Sequence, residues 1–384
     1  VLKHPYLCAN FDEVVYLFQG GGALGAFQVG VYQALEENGF APDWIAGISI
    51  GAINSAIIAG NEPNKRTEKL NQFWDLITHN IEPQLQFLDT ENHNLIQAYN
   101  MCSAMHALSF GQKGFFNLKG IAPWLIHDTT PDKISFYDTA ALRDTLMQVI
   151  DFDYLNKSQI RLSLGAVNIR TGRLHFFDNT RDNIEVDHIM ASCALPPGFP
   201  AIKIEDEYYW DGGLYSNTPL ICVINDLPHK NRLCFLVDLF DSTGLLPHNM
   251  DEVLERAKDI NYAGQIDMIL DFYDAHLLLE HKIAAESGAI PDKLSKLGDG
   301  HNVHISKIVY KAHPHELHSK DYEFSNFSAR KRIAEGYAHT KNLLADPDWW
   351  KSRDENIGTI VHPSTGDMSI VIGSCACRKD GHYT

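Results

Sequence analysis

The 384-residue chain contains no run of 18 or more apolar residues, which excludes a membrane-spanning helix within this sequence. It is short of positive charge: 32 Lys and Arg stand against 49 Asp and Glu, a formal net charge of −17. That balance excludes the basic footprint of a nucleic-acid binder and any global attraction to anionic lipid, leaving only a local basic or apolar patch to dock on a membrane. The seven cysteines are odd in number and irregularly spaced, so they form no disulfide framework in a chain this long. A reducing, cytoplasmic compartment is expected, with contact to membranes only at their surface. No internal repeat and no low-complexity stretch occurs. The chain opens at Val1 rather than Met, so a targeting segment ahead of it stays open.

With 45% hydrophobic residues, the material for a large buried core is present. Val14–Phe18 is an apolar run ending in glycines and is expected to be a buried strand. Ala26 to Asn38 carries a helical pattern stopped by Gly39, Trp44–Ile48 is a second strand, and Ile50–Ala59 is apolar on every side and so a buried helix. Strand, loop, helix, strand, turn and helix in that order open a mostly parallel α/β sheet. Residues 63–130 are aromatic and Met-bearing and are expected to be a helical insertion capping the sheet. Further strands are expected at Arg161–Asn168, Arg173–Phe177, Tyr208–Trp210, Leu233–Val237 and Val303–Tyr310, with a helix near Ala329–Leu344 and an irregular tail after Trp350.

Two glycine-bracketed stretches carry the chemistry. Gly20-Gly21-Gly22-Ala23-Leu24-Gly25 is a loop of unhindered backbone N–H groups, and Gly47-Ile48-Ser49-Ile50-Gly51 is a strand-to-helix turn that exposes a serine hydroxyl at a helix N-terminus. Alone, a serine flanked by glycines at both second neighbours arises by accident in roughly one such chain in ten. The placement of both directly after expected strands is what singles them out. Ser49 is then the nucleophile of an acyl transfer, with Gly20, Gly21, Gly22 and Ile50 as oxyanion hole. Far along the chain, Asp211-Gly212-Gly213 places a carboxylate on a tight turn, which could also be a plain hairpin connection.

Other arrangements compete. The first glycine loop also satisfies a dinucleotide-binding turn, but that needs an acidic residue ending the next strand, which runs instead into Ser49. An ordinary α/β-hydrolase fails on order, because only two strands fit before Ser49 and none of nineteen histidines sits in a recognisable loop. His188 lies on an apolar segment and is expected to be a satisfied core histidine. His313-Pro314-His315-Glu316-Leu317-His318 is expected to be a solvated polar loop rather than a metal site, and Cys375-Ala376-Cys377 with His382 lacks a second ligand pair. No metal and no cofactor are called for.

The ordered motifs Gly20–Gly25, Gly47–Gly51, Ala191-Ser192-Cys193-Ala194-Leu195-Pro196 and Asp211-Gly212-Gly213 resemble those of the patatin-like phospholipase family. The likeness covers residues 12–224, and Lys320–Ser325 looks like the C-terminal extension of a bacterial branch. It implies a three-layer α/β/α fold, a catalytic domain over 12–224 with the 63–130 insertion, and an extension over 225–384 packed against it. It also implies a Ser49–Asp211 dyad without histidine, Asp211 acting as proton acceptor, framed by motif glycines Gly25, Gly47, Gly51, Gly212 and Gly213. Leu24 departs from the basic residue usual in that loop, which removes charge assistance but not the backbone donors. An aspartate near pKa 4 is a poor base, so the oxyanion hole should carry most of the stabilisation. The implied substrate is an acyl lipid (phospholipid, lysophospholipid or a related ester); transfer of the same acyl group to an alcohol, or a non-catalytic nucleotide-binding module, are the alternatives. Met101, Met105, Phe115 and Phe116 are expected to border the acyl-chain site.

Overall fold

The computed structural model describes residues 11–79, 92–226, 230–287, 303–345 and 359–362. In chain order the first elements are β1 (Glu13–Phe18), α1 (Ala26–Glu37), β2 (Trp44–Ile48), α2 (Ile50–Ala59), α3 (Arg66–Ile77) and α4 (His93–Phe110). Three short strands then interrupt the helices: β3 (Gly111–Gln112), β4 (Phe116–Leu118) and β5 (Tyr137–Asp138). They precede α5 (Ala140–Val149), α6 (Phe152–Lys157), β6 (Arg161–Asn168), β7 (Arg173–Asp178), α7 (Val186–Ser192), β8 (Ile202–Ile204), β9 (Glu207–Asp211) and α8 (Leu220–Ile224). The chain closes with β10 (Arg232–Asp238), α9 (Met250–Ser287), β11 (Val303–Val309), α10 (Asn326–Ala345) and β12 (Thr359–His362).

Nine strands form one sheet in the order β12-β11-β10-β1-β2-β6-β9-β8, with β7 paired to β6. All pairings from β12 to β6 are parallel, and the pairings of β6 with β7, of β6 with β9 and of β9 with β8 are antiparallel. Alternation along β1 shows why helices cover both faces. Val14, Tyr16 and Phe18 pack with α1 and α2, whereas Val15 and Leu17 pack with Leu220 and Val223 of α8 and Ile266 and Leu270 of α9. A sheet buried on both faces reads as continuous apolar runs, and β1 and β2 do. The mostly parallel α/β/α architecture expected from the sequence is therefore present.

Two expectations are corrected. The insertion is not wholly helical: β3, β4 and β5 make a separate antiparallel sheet, too short for alternation to show in the sequence. The tail after residue 350 is not wholly irregular, since β12 pairs in parallel with β11 through backbone groups that no local pattern announces. The sheet continues past residue 224, with β10 the parallel neighbour of β1. Residues 375–382, with Cys375, Cys377 and His382, lie outside the described residues.

The register brings two strand ends together. β2 ends with Ile48 opposite Gly165 of β6, and Asp211, the last residue of β9, lies opposite Ala166. Because β7 occupies the other edge of those β6 residues, β9 continues the edge along which β2 ran. Ser49, one residue past β2, and Asp211 thus arrive at adjacent rungs of one strand.

Candidate active site

Ser49 caps the N-terminus of α2 with φ +55° and ψ −126°, a left-handed backbone setting rare for residues with side chains. The turn closes only because its flanks are bare. A Cβ on Gly47 would lie 2.4 Å from the Gly51 carbonyl oxygen, and one on Gly51 would lie 2.3 Å from that of Phe18. The Ser49 carbonyl accepts from the N–H groups of Ala52 and Ile53 at 2.9 and 3.2 Å, which starts the helix, and from the Cys193 thiol at 3.1 Å. The Ser49 N–H donates to Ser192 Oγ at 3.0 Å, and that hydroxyl donates to the Gly165 carbonyl at 2.7 Å. Ser192, buried at the end of α7, therefore ties the strained turn to β6.

Asp211 is buried and accepts from the Gly213 N–H at 2.7 Å. Ser49 lines the same cavity, and its hydroxyl acts on the Asp211 carboxyl in favour of the charged form. Burial pushes the carboxyl up to about 7, against the pull of the Gly213 amide and the Ser49 hydroxyl, which both favour the charged form. The poor base expected from an unperturbed aspartate is thereby corrected. Desolvation raises its proton affinity toward neutral pH, where a proton acceptor works best.

The glycine loop is held from one side by Asn217, whose Nδ2 donates to the Gly20 carbonyl at 2.9 Å. The Gly20 N–H donates in turn to the Asn217 carbonyl at 3.1 Å, so Gly20 drops out of the expected donor set. The N–H groups of Gly21, Gly22 and Ile50 have no hydrogen-bond partner among the described residues, and all three residues line the same cavity as Ser49. Gly22 has φ +53°, and a Cβ there would meet the Asp321 carbonyl oxygen at 2.1 Å, so the loop fits under the C-terminal segment only as glycine.

Charged and polar groups that the motif reading did not include brace the loop from below. Gln28 Nε2 donates to the Gln19 carbonyl at 2.7 Å, and Asn54 Nδ2 donates to the Gly25 carbonyl and Gln28 Oε1, each at 2.9 Å. From α10, the buried Arg332 donates to the carbonyls of Ala23 and Glu323 at 3.3 Å, of Lys320 at 3.1 Å, and to the Glu316 carboxylate at 2.7 Å. Burial works against the Glu316 charge, but Arg332 and the Tyr310 hydroxyl outweigh it and hold the carboxyl down at about 2. Lys320 pairs with Glu255 at 2.8 Å and Asp259 at 2.9 Å. The expected solvated loop at 313–318 is thus corrected: His315 and Glu316 are buried, because Glu316 is the counter-charge of Arg332. His188 does serve structure, its Nδ1 accepting the Glu185 N–H at the start of α7.

A cavity of about 280 Å³ opens above Ser49 and Asp211. Its walls are apolar and come from four segments: Phe115 and Phe116, Phe199, Tyr262 of α9, and Tyr322 with Phe324. Of the four residues expected to border an acyl-chain site, Phe115 and Phe116 line the cavity. Met101 and Met105 do not; both are more than half exposed and neither lines the cavity. The buried stripe of α4 runs through Ile96, Asn100, Ser103, Ala104 and Ala107, which turns both methionines outward. No histidine among the described residues lines the cavity. Among the described residues, no three His, Cys, Asp or Glu side chains converge as a metal site, and no helix is long and apolar enough to cross a membrane. The arrangement offers a hydroxyl, a neighbouring proton acceptor and free backbone donors at the base of an apolar chamber.

Comparison with known proteins gives the family of the chain. A family model described as patatin-like phospholipase matches residues 16–223, more than half of the chain. A second, described as patatin phospholipase, matches residues 274–356. No curated protein sequence matches. Solved structures with similarity include VipD from Legionella pneumophila, 13% identical with a TM-score of 0.39, over 87% of this chain and 67% of that one. The type III effector protein ExoU is 13% identical with a TM-score of 0.29, over 86% of this chain and 53% of that one. The ExoU–SpcU complex from the type III secretion system of Pseudomonas aeruginosa gives 16% and 0.30, over 86% and 52%. This chain spans about half the length of the ExoU chains it matches.

Proposed function

This chain belongs to the patatin-like phospholipase family, and from that premise we propose that it is a lipid acyl hydrolase cleaving carboxylic esters of phospholipids or lysophospholipids through an acyl-Ser49 intermediate. The observation that carries the proposal is that Ser49, on its strained turn, and a buried Asp211 carboxyl raised to about 7 line the same apolar cavity. The Ser49 oxygen bonds to the acyl carbonyl carbon while its proton passes to Asp211. The N–H groups of Gly21, Gly22 and Ile50, aided by the α2 N-terminus, receive the negative charge that develops on the carbonyl oxygen. The bond to the alcohol then breaks, and the departing oxygen takes the proton from Asp211. Water repeats the sequence: its oxygen bonds to the acyl carbon, its proton passes to Asp211, and the Ser49 oxygen leaves and recovers that proton.

Ester leaving groups suit a dyad, because an alkoxide needs less protonation than an amine. In this scheme residues 12–224 supply every reacting group, and residues 225–384 are an extension that closes the chamber through Tyr262, Asp321, Tyr322 and Phe324. Fatty-acid release from mixed phospholipid micelles tests the proposal. Ser49→Ala should lose about 10⁶-fold in kcat, in line with nucleophile removal from serine hydrolases, while keeping its circular dichroism. A folded Ser49→Ala protein releasing fatty acid at the wild-type rate overturns it.

A further inference from the structure

The connection between β4 and β5, residues 119–136, is one of the places where large apolar side chains stand in solvent. Ile121, Trp124 and Leu125 sit within five residues of one another and are 62%, 77% and 73% exposed. A single apolar side chain in water needs no explanation, but three at the tip of one loop, including a tryptophan, leave an unburied patch that favours an apolar partner.

The turn is fastened to the wall of the cavity. Lys119 N–H donates to the Phe136 carbonyl at 3.0 Å, and the Phe136 and Tyr137 N–H groups donate to the carbonyls of Pro197 and Gly198 at 3.1 and 2.9 Å. Tyr137, Pro197 and Gly198 all line the cavity, and the Trp124 ring packs edge-on against Phe136 at 6.1 Å. On the other side of Tyr137, its hydroxyl donates to the Leu108 carbonyl at 2.7 Å. Leu108 and Leu195 both line the cavity while 40% and 38% exposed, so they form its apolar mouth. The exposed turn and the mouth are therefore parts of one braced surface.

Charge decides which apolar partner fits. Residues 118–134 contain two lysines and two aspartates, a balanced set in a chain of net charge −17. An anionic surface would repel the body of the protein and gain nothing from this turn, whereas a zwitterionic one is met without opposition. We propose that the turn carrying Ile121, Trp124 and Leu125 is an insertion point that seats the cavity mouth on a zwitterionic lipid surface. Tryptophan suits that role, because its ring places an apolar body and a polar N–H at the headgroup level. The proposal deepens the lipid-hydrolase reading and rests on it for the meaning of the cavity.

Vesicle binding separates the two. The test uses full-length Ser49→Ala protein with phosphatidylcholine vesicles, so that no turnover alters the bilayer. The intact turn should partition to the vesicles, with fluorescence quenched by acyl-chain-brominated phosphatidylcholine, and 0.5 M salt should not release it. Ile121→Ser, Trp124→Ser and Leu125→Ser together should lower partitioning at least tenfold, and Trp124→Phe should remove the bromine quenching. In a Ser49 background the triple variant should hydrolyse a soluble short-chain ester at the unaltered rate, because none of the three residues lines the cavity. Equal partitioning of the triple variant overturns the proposal. So does binding that requires anionic lipid or is released by salt, or a dimer that the triple variant dissociates while vesicle binding is kept. If vesicles are bound through the turn but no ester is cleaved, the lipid-hydrolase reading fails and the surface stands.

Discussion

The floor of the cavity and its walls are made in different ways. The floor, Ser49 with Asp211 and the loop Gly20–Gly25, depends on backbone geometry: a left-handed serine, bare glycines where strand and helix cross, and N–H groups without partners. Each part of that geometry is announced by a short glycine-rich stretch of sequence. The walls are side-chain volume, contributed by Phe115 and Phe116, Phe199, Tyr262, Tyr322 and Phe324 from segments far apart in the chain. Under the proposed function, the floor is expected to tolerate little substitution, whereas changes in the walls are expected to alter which acyl chain is admitted.

If that division is right, substitutions at the floor act on turnover. Asp211→Asn should lower kcat on a soluble ester about 10⁴-fold, as comparable removals of the acidic member do in other serine hydrolases. The same variant should gain stability at neutral pH. A carboxyl raised to about 7 in the folded protein binds its proton more tightly than in the unfolded chain, so the wild-type protein loses stability as pH rises from about 4 through 7. The asparagine variant lacks that slope, and thermal melts at pH 5 and 8 check it. A loss of turnover accompanied by a lower melting temperature at pH 8 would count against a buried, destabilised acid.

Between floor and wall lies the brace under the loop. Arg332→Met should leave Glu316 and Glu323 buried without their counter-charge and cost about 3–5 kcal/mol, read from denaturant unfolding. An unchanged midpoint would show that the ion cluster does not hold the extension to the loop.

The walls give the smallest and most selective effect. Phe115→Ala with Phe116→Ala should reduce kcat/KM for long-chain esters, each ring contributing up to about 1.5–3 kcal/mol, with little effect on an acetyl ester. Both rings are also packed among Tyr137, Phe199 and Phe324, so the melting temperature must be measured beside the chain-length series. A uniform fall across all chain lengths would make them plain core.

The same division explains what could be read from the sequence. The elbow, the glycine loop and the Asp211 turn stood out because glycine is the only residue that fits where backbones nearly touch, and those glycines cluster in short stretches of the sequence. The strands β1, β2, β6 and β10 were legible because burial on both faces leaves continuous apolar runs. Arg332 was not, since an arginine in a charged helix gives no sign that its guanidinium lies on the Ala23 carbonyl, 309 residues earlier. Ser192 was quoted within a motif, but its role in holding the Ser49 N–H depends on α7 ending beside β6. Met101 and Met105 misled for a related reason: composition marked the insertion as apolar, but only the helix phase decides which side chains face the cavity.

The central claim, that Ser49 is the nucleophile activated by Asp211, is tested most directly by labelling the protein with a fluorophosphonate and locating the adduct by peptide mass spectrometry. The account expects one phosphonyl group, on Ser49, formed at a rate that rises with pH and is half-maximal near 7, where Asp211 loses its proton. Labelling of another residue, or a Ser49 adduct that forms equally fast in Asp211→Asn, would contradict it.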